Sequence, residues 1–216
     1  MSLGITSFAP VGSGTDTSIQ AIKIVGTGLD DNSIQIQTLT AGGATDQTFM
    51  WIPADYAEGY GMTGEGWFDM DNWDVADKTF AEGEAYILVN NVGNGVTVQY
   101  CGEVIQGATQ VPVASDVSMS GNMTPVPFSI QAFVVDGEGL DDNSIQIQTL
   151  TAGGATDQTF MWIPADYAEG YGMSGEGWFD MDNWDVADKD FAAAEGFVLI
   201  NNVGDGPTLT IPSALE

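Results

Sequence analysis

The segment from Asp69 to Asp77 sets Asp69, Asp71, Asn72, Asp74 and Asp77 close together, and the same segment recurs as Asp180, Asp182, Asn183, Asp185 and Asp188. Side-chain oxygens at this density are the ligand type that Ca²⁺ takes, about six to eight at a time with help from backbone carbonyls and water. The spacing is not that of an EF-hand loop, because Trp73 stands where an oxygen ligand is needed and no glycine follows at the sixth place. A smaller cluster, Asp30, Asp31 and Asn32 in "GLDDNS", reads equally well as a turn. Ca²⁺ is therefore the one cofactor the residues raise, with a solvated acidic loop as the plainer reading.

Aromatic rings crowd the same region. Trp51, Tyr56, Tyr60, Trp67 and Trp73 in the first occurrence, and Trp162, Tyr167, Tyr171, Trp178 and Trp184 in the second, lie among glycines and carboxylates. Flat rings that stack on sugar faces, beside Asp and Asn that bind hydroxyl groups, would make a carbohydrate-binding surface. The competing expectation is that Trp67, Phe68 and Trp73 fold back to plug a small core, since each large aromatic side chain buries extensive apolar area.

Carboxylate pairs can also hydrolyse glycosidic bonds, and Glu65 with Asp69 is one such pair, but nothing singles it out. The chain has no histidine and, with lysine its sole basic residue type, no arginine. The commonest general base and the bidentate clamp for phosphates are thus missing. "GTGLDD" and "GEGLDD" are not phosphate loops, because neither opens a helix or has a basic residue close by. No enzymatic activity is expected. A net charge of −28 repels nucleic acid and anionic membranes, so neither is expected as a partner. Adaptation to high salt would also account for that charge. Cys101, the single cysteine, is matched by Pro212 in the second copy and reads as a small apolar strand residue.

These residues sit inside a long repeat. Gly28–Lys78 and Gly139–Lys189 are identical except for Thr63 and Ser174, at an offset of 111 residues. The offset extends to "SIQAI" and "SIQAF" and to "VNNVGNG" and "INNVGDG", while the remaining flanks differ. Two units, residues 1–110 and 111–216, follow, joined around "QGATQVPVASDVSMSGNMTPVPFS".

Helical periodicity is lacking, and short β-branched or aromatic runs alternate with turn residues. Strands are predicted near Ile19–Val25, Ser33–Thr40, Thr48–Ile52, Ala85–Asn90 and Val96–Tyr100, with a weaker one near Gly66–Asp69. The pattern of "SIQIQTLT" puts Ile34, Ile36 and Thr38 on one face. "AYILVNNVGNGVTVQY" reads as a β-hairpin, repeated in copy two, with Pro207 at an edge or a strand start. The expected fold is all-β: two tandem antiparallel β-sandwich-like domains from an internal duplication, or one pseudo-symmetric larger sandwich or barrel. No apolar run is long enough to cross a bilayer as a helix, and the first residues lack a signal-peptide pattern.

"TFMWI", "GEGWFD", "FAEGEAYILVNN" and "SMSGNMTPVPFS" resemble β-rich repeat modules of uncharacterised bacterial surface and secreted proteins. That resemblance implies an extracellular or cell-surface structural or binding role and no defined activity. The expected function is a non-enzymatic structural or adhesive assembly protein, whose partner is itself or a repetitive surface ligand. The alternative is a tandem carbohydrate-binding module, with or without calcium.

Overall fold

The structure is a computed structural model that describes residues 4–8, 18–81, 83–93, 95–99, 107–122 and 124–212. It is all-β, and the named strands pair in antiparallel fashion throughout. The first unit contributes β1 (Gly4–Phe8), β2 (Lys23–Val25), β3 (Ile34–Leu39), β4 (Thr45–Ile52), β5 (Gly66–Asp69), β6 (Asp74–Val75), β7 (Tyr86–Asn90) and β8 (Thr97–Gln99). The second begins with β9 (Thr109–Pro112), β10 (Asp116–Gly121), β11 (Phe128–Ser129), β12 (Val134–Asp136), β13 (Ile145–Leu150) and β14 (Thr156–Ile163). It ends with β15 (Gly177–Asp180), β16 (Asp185–Val186), β17 (Asp190–Phe191), β18 (Gly196–Asn201) and β19 (Thr208–Ile211).

Each unit builds one six-stranded sheet, in the orders β1-β7-β3-β4-β5-β6 and β10-β18-β13-β14-β15-β16. A smaller sheet covers each: β2-β8 in the first unit and β12-β19-β9 in the second, with β11-β17 as a further pair. Period-two alternation decides which side chains meet between the layers. On β3, Ile34, Ile36 and Thr38 point inward as their spacing predicts. Ile34 and Ile36 join Phe49, Trp51 and Trp67 from the large sheet and Ile24 from the small one in a single apolar cluster. In the second unit Ile147, Trp162 and Trp178 meet Val135 and Leu209 in the same way.

Several expectations change in detail. The run Ile19–Val25 is not one strand: the Ser18 hydroxyl accepts from the Gln20 amide, and Ile19–Ala21 closes as a 3-10 turn before β2 begins. Gly66–Asp69, expected only weakly, is a fully buried strand. The expected hairpin at Ala85–Tyr100 does not form, because β7 pairs with β1 and β3 while β8 pairs with β2 in the other layer. Asn90 explains the crossing: its side-chain oxygen accepts from Val92 and Gly93 amides and its NH₂ donates to the Gly93 carbonyl. That local turn carries the chain away from β7 and into the small sheet. The second unit repeats the crossing from β18 to β19, and Pro207 stands just ahead of β19, as a strand start. Cys101, Tyr100 and the end of the chain lie outside the described residues.

The segment expected to join the units is itself folded, and β9 spans the position assigned to the boundary. Val111 and Met119 from this segment share an apolar cluster with Ala85, which Leu39 and Ile87 flank. A Cβ on Gly83 would stand 2.4 Å from a Val111 methyl, so the close approach there requires glycine.

Candidate functional site

The acidic, aromatic segment forms the reversal between β5 and β6. Asp69, buried at the end of β5, holds it: one carboxylate oxygen accepts from the amides of Asp71 and Asn72, and the other from the Asn72 side chain. Burial pushes the Asp69 carboxyl up, but those donors outweigh it and leave the group below its ordinary value. The Asp71 carboxylate accepts from the Thr48 amide at 2.8 Å, pinning the loop to β4. The Trp73 amide donates to the Asp69 carbonyl at 3.0 Å.

This closure forces Trp73 to φ 56° and Trp184 to φ 55°. Bulky residues rarely adopt this left-handed conformation. The result is an outward indole, 72% exposed at Trp73 and 76% at Trp184. One edge of each ring stays in contact with the sheet, where Phe68 and Phe179 meet them edge-on with centroids 6.3 Å apart.

The support under the indole is a second, outer apolar cluster. Met50, Ile52, Ala57 and Phe68 are buried on the face of the large sheet away from the core, under Tyr60, Met62 and Met70. Tyr60 packs edge-on to Phe68 at 4.9 Å and donates its hydroxyl to Asp31 at 2.7 Å. That bond, then burial, then the Asp31 charge push the Tyr60 hydroxyl up to about 12. Tyr171 does the same against Asp142 and also stands at about 12. Val75 lies opposite Phe68 in the β5-β6 register and is exposed, extending the apolar surface beside Trp73.

The ten aromatic residues expected at a binding surface therefore divide. Trp51, Trp67, Trp162 and Trp178 belong to the core and are corrected as ligand contacts, their rings pairing edge-on at 5.5 Å within each unit. The Trp67 indole N–H donates to the Ile22 carbonyl and that of Trp178 to Phe133, both at 2.8 Å, so their polar edges are also satisfied. Tyr60 and Tyr171 are half-buried supports. Trp73, Trp184, Tyr56 and Tyr167 reach solvent. The expectation that Trp67, Phe68 and Trp73 plug one core holds for Trp67; Phe68 is buried on the opposite face and Trp73 is exposed.

Asp69, Asn72, Asp74 and Asp77 line one open cleft of about 330 Å³, which Lys78 also borders. Their oxygens do not converge as expected for calcium. Asp69 is committed to the turn, Asp71 to Thr48, and Asp74 to the Val75 amide. In the second unit Asp180, Asp182 and Asp185 make the matching bonds, with Asn183 donating to Asp180 and Asp188 exposed. Among the described residues no group of three or more His, Cys, Asp or Glu side chains is placed to hold a metal ion. Asp30 likewise caps its own turn, accepting from Ser33 and Asn32, which hold its carboxyl below the ordinary value.

Two features escape a reading of the segment alone. Gln20, outside the identical block, donates to the carbonyls of Trp67 and Ala76 and accepts from the Trp67 amide, clamping the base of the β5-β6 reversal. Gln131 makes the same three bonds to Trp178 and Ala187. The one sequence signal for this clamp is that "SIQA" keeps the repeat offset where its surroundings diverge. The clamp also explains Gly66, where a Cβ would stand 2.7 Å from the Gln20 side-chain oxygen. The second feature is cationic: Lys23 lies over Trp51, Lys78 over Phe80 and Lys189 over Phe191, at 5.7, 5.3 and 5.0 Å. Lys78 and Lys189 also pair with Glu84 and Glu195 at 2.7 Å. No protein-family model, no curated protein and no solved structure matches the chain.

Proposed function

We propose that the chain is a non-enzymatic structural or adhesive building block of an extracellular or cell-surface assembly, which grips a repetitive partner through Trp73 and Trp184. One observation carries this reading: each unit holds a large, exposed indole in a backbone conformation that tryptophan resists. Strain of this kind persists where surrounding bonds impose it, and it gathers at functional positions. Tryptophan is also, with Tyr and Arg, among the side chains enriched at positions that dominate binding energy. Two equivalent tips on one chain favour a partner with repeated epitopes, because the second contact becomes intramolecular. Another copy of this protein meets that description, whereas nucleic acid and anionic membranes are disfavoured by the charge of −28.

The double variant Trp73→Asn/Trp184→Asn tests this. Light scattering over a concentration series should show association of the wild type and at least a tenfold weaker tendency in the variant. Equal mass for both at every concentration would defeat the self-assembly reading.

The exposed indole beside Asp71 and Asp74 supports a second reading, stacking on a sugar ring. It predicts that a glycan quenches tryptophan fluorescence in the wild type and not in the double variant.

A further inference from the structure

The two units meet along β10, the edge strand of the second large sheet. The Val117 amide donates to the Ala41 carbonyl at 2.7 Å, and the Ala85 amide donates to the Met119 carbonyl at 3.2 Å. All four residues also line an open cavity of about 420 Å³. The first unit supplies Leu39 and the loop through Gly83 to Ala85, and the second supplies Val111, Val117 and Leu199. The space exists because that loop brings small side chains to the wall. Val111 approaches Gly83 too closely for a Cβ, whereas the equivalent Ala194 holds the same left-handed conformation in the second unit, so the approach rather than the turn demands glycine.

The chemistry of the wall is narrow. Among its described residues none is aromatic and none is basic. The carboxylate on it, Glu84, has both oxygens engaged, one by Lys78 at 2.7 Å and the other by the Ala81 amide at 2.8 Å. Its hydroxyls are those of Thr38, Ser118 and Ser120. Thr38 accepts from the Gln47 amide. Ser120 is 1% exposed, and its hydroxyl has no hydrogen-bond partner among the described residues. A buried hydroxyl without a partner is uncommon and costs stability until something completes it. Volume, aliphatic walls, a few polar groups and a position between two folded units are together the marks of a small-molecule site.

We propose that this inter-unit cavity binds a neutral aliphatic molecule carrying a hydroxyl or amide group, with its chain against Leu39, Val111, Val117 and Leu199 and its polar group on Ser120. Each part of that description comes from the wall. With no ring to stack on, the wall favours a saturated chain over an aromatic one. With no cation on it, and with a net charge of −28 on the chain, it disfavours a carboxylate or phosphate. With the Glu84 oxygens committed, nothing on it pairs with an amine. A water-sized group takes about 30 Å³ of liquid volume, so a chain of about eight carbons and its polar group fill more than half of the space. Since both units supply the wall, the occupant bridges them and stabilises the folded chain by mass action. The inference is independent of the tryptophan tips.

The probe is 1-octanol, titrated into the full chain labelled on its aliphatic methyl groups. The methyl resonances of Leu39, Val111, Val117 and Leu199 should shift together and saturate. Octanoate, the anion of the same length, should bind at least about tenfold more weakly, because its charge would be buried without a partner. Ser120→Ala separates a binding site from a packing defect. It removes the unpartnered hydroxyl, so the free variant should melt above wild type, yet it should bind octanol about fivefold more weakly, the scale of one neutral hydrogen bond. Octanol that shifts none of these resonances up to its solubility limit, as when another segment of the chain fills the cavity, would overturn the proposal. So would shifts that rise without saturation, octanoate that binds as tightly as octanol, or a Ser120→Ala variant that binds octanol as well as wild type or loses it only together with stability.

Discussion

Replacing Trp73 and Trp184 by Asn should make the protein more stable while removing its exposed aromatic tips. The left-handed conformation at φ 56° and 55° costs an ordinary L-residue about 1–2 kcal/mol relative to the right-handed region, and Asn tolerates it far better than Trp. Against this gain stands the loss of the edge-on contact with Phe68 or Phe179. Such pairs contribute about 0.5–1.5 kcal/mol, and rings that are 72% and 76% exposed fall at the low end of that range. The balance is a gain of about 0.5–1 kcal/mol per unit, or about 1–2 kcal/mol for the double variant. That corresponds to roughly 2–8 °C in Tm for a chain of this size. Ala is the control, because it keeps the strain and loses the ring, so Trp73→Ala/Trp184→Ala should be less stable than wild type. Urea melts followed by the four buried tryptophans, Trp51, Trp67, Trp162 and Trp178, give the comparison. The order Asn, wild type, Ala supports the reasoning. An Asn variant less stable than wild type by about 1 kcal/mol or more would refute it and make the indoles part of the packing.

Asp69→Ala should lower stability at neutral pH by about 2–3 kcal/mol in urea melts, the scale of hydrogen bonds to a charged acceptor. Because the Asp69 carboxyl is held below its ordinary value, its contribution is complete above about pH 4 and lost as pH falls through the folded value. The gap to wild type should therefore close in strong acid. Tyr60 and Tyr171, both raised to about 12, stabilise fully below about pH 10 and lose that contribution as pH rises through 12. An absorbance titration should show two late phenols, and Asp31→Asn should bring one of them back toward about 10. Gly66→Ala should destabilise by about 1–3 kcal/mol, since the new methyl displaces the Gln20 oxygen from the Trp67 amide. Gln20→Ala should give a loss of similar size, and combining the two should add little to either.

The strands that alternate cleanly were legible because one inward row fixes both period and face. Ile34, Ile36 and Thr38 needed no partner to be placed. The false hairpin at Asn90 arose from the same kind of rule: Asn and Gly announce a reversal but do not say whether the next strand returns to the same sheet. Here Asn90 turns the chain across the sandwich. Carboxylate spacing alone was no guide to the acidic segment. Asp69, Asp71 and Asp74 face backbone amides of their own loop and of β4, and those partners are fixed by tertiary pairing. Aromatic density was ambiguous for a related reason. Trp67 and Phe68 are neighbours on β5 and therefore face opposite sides of the sheet, one toward the core and one toward the outer cluster.

The distribution of sequence identity between the units follows the structure closely. Asp69, Asn72, Trp73, Thr48, Gly66 and the Tyr60–Asp31 pair all lie inside Gly28–Lys78, the block repeated at Gly139–Lys189 with one change. Apart from Gly66, which Gln20 meets from outside, those residues face partners within the block, so an identical sequence meets an identical environment in both units. The Gln20 clamp reaches into the block from outside and keeps its residue type as Gln131. Divergence sets in where the surroundings differ: Val96 faces Pro207 across the repeat, and Val98 faces Leu209, at the strand that β9 covers in one unit and not in the other. A buried Leu209 suits a covered strand, and a smaller, half-buried Val98 suits an edge. The repeated block is therefore the self-contained part of each unit, and the divergent flank the part whose surroundings differ. Exchanging Val98 and Leu209 should on this argument lower the stability of both units, by exposing a larger apolar side chain in the first and leaving a cavity of about one methylene in the second.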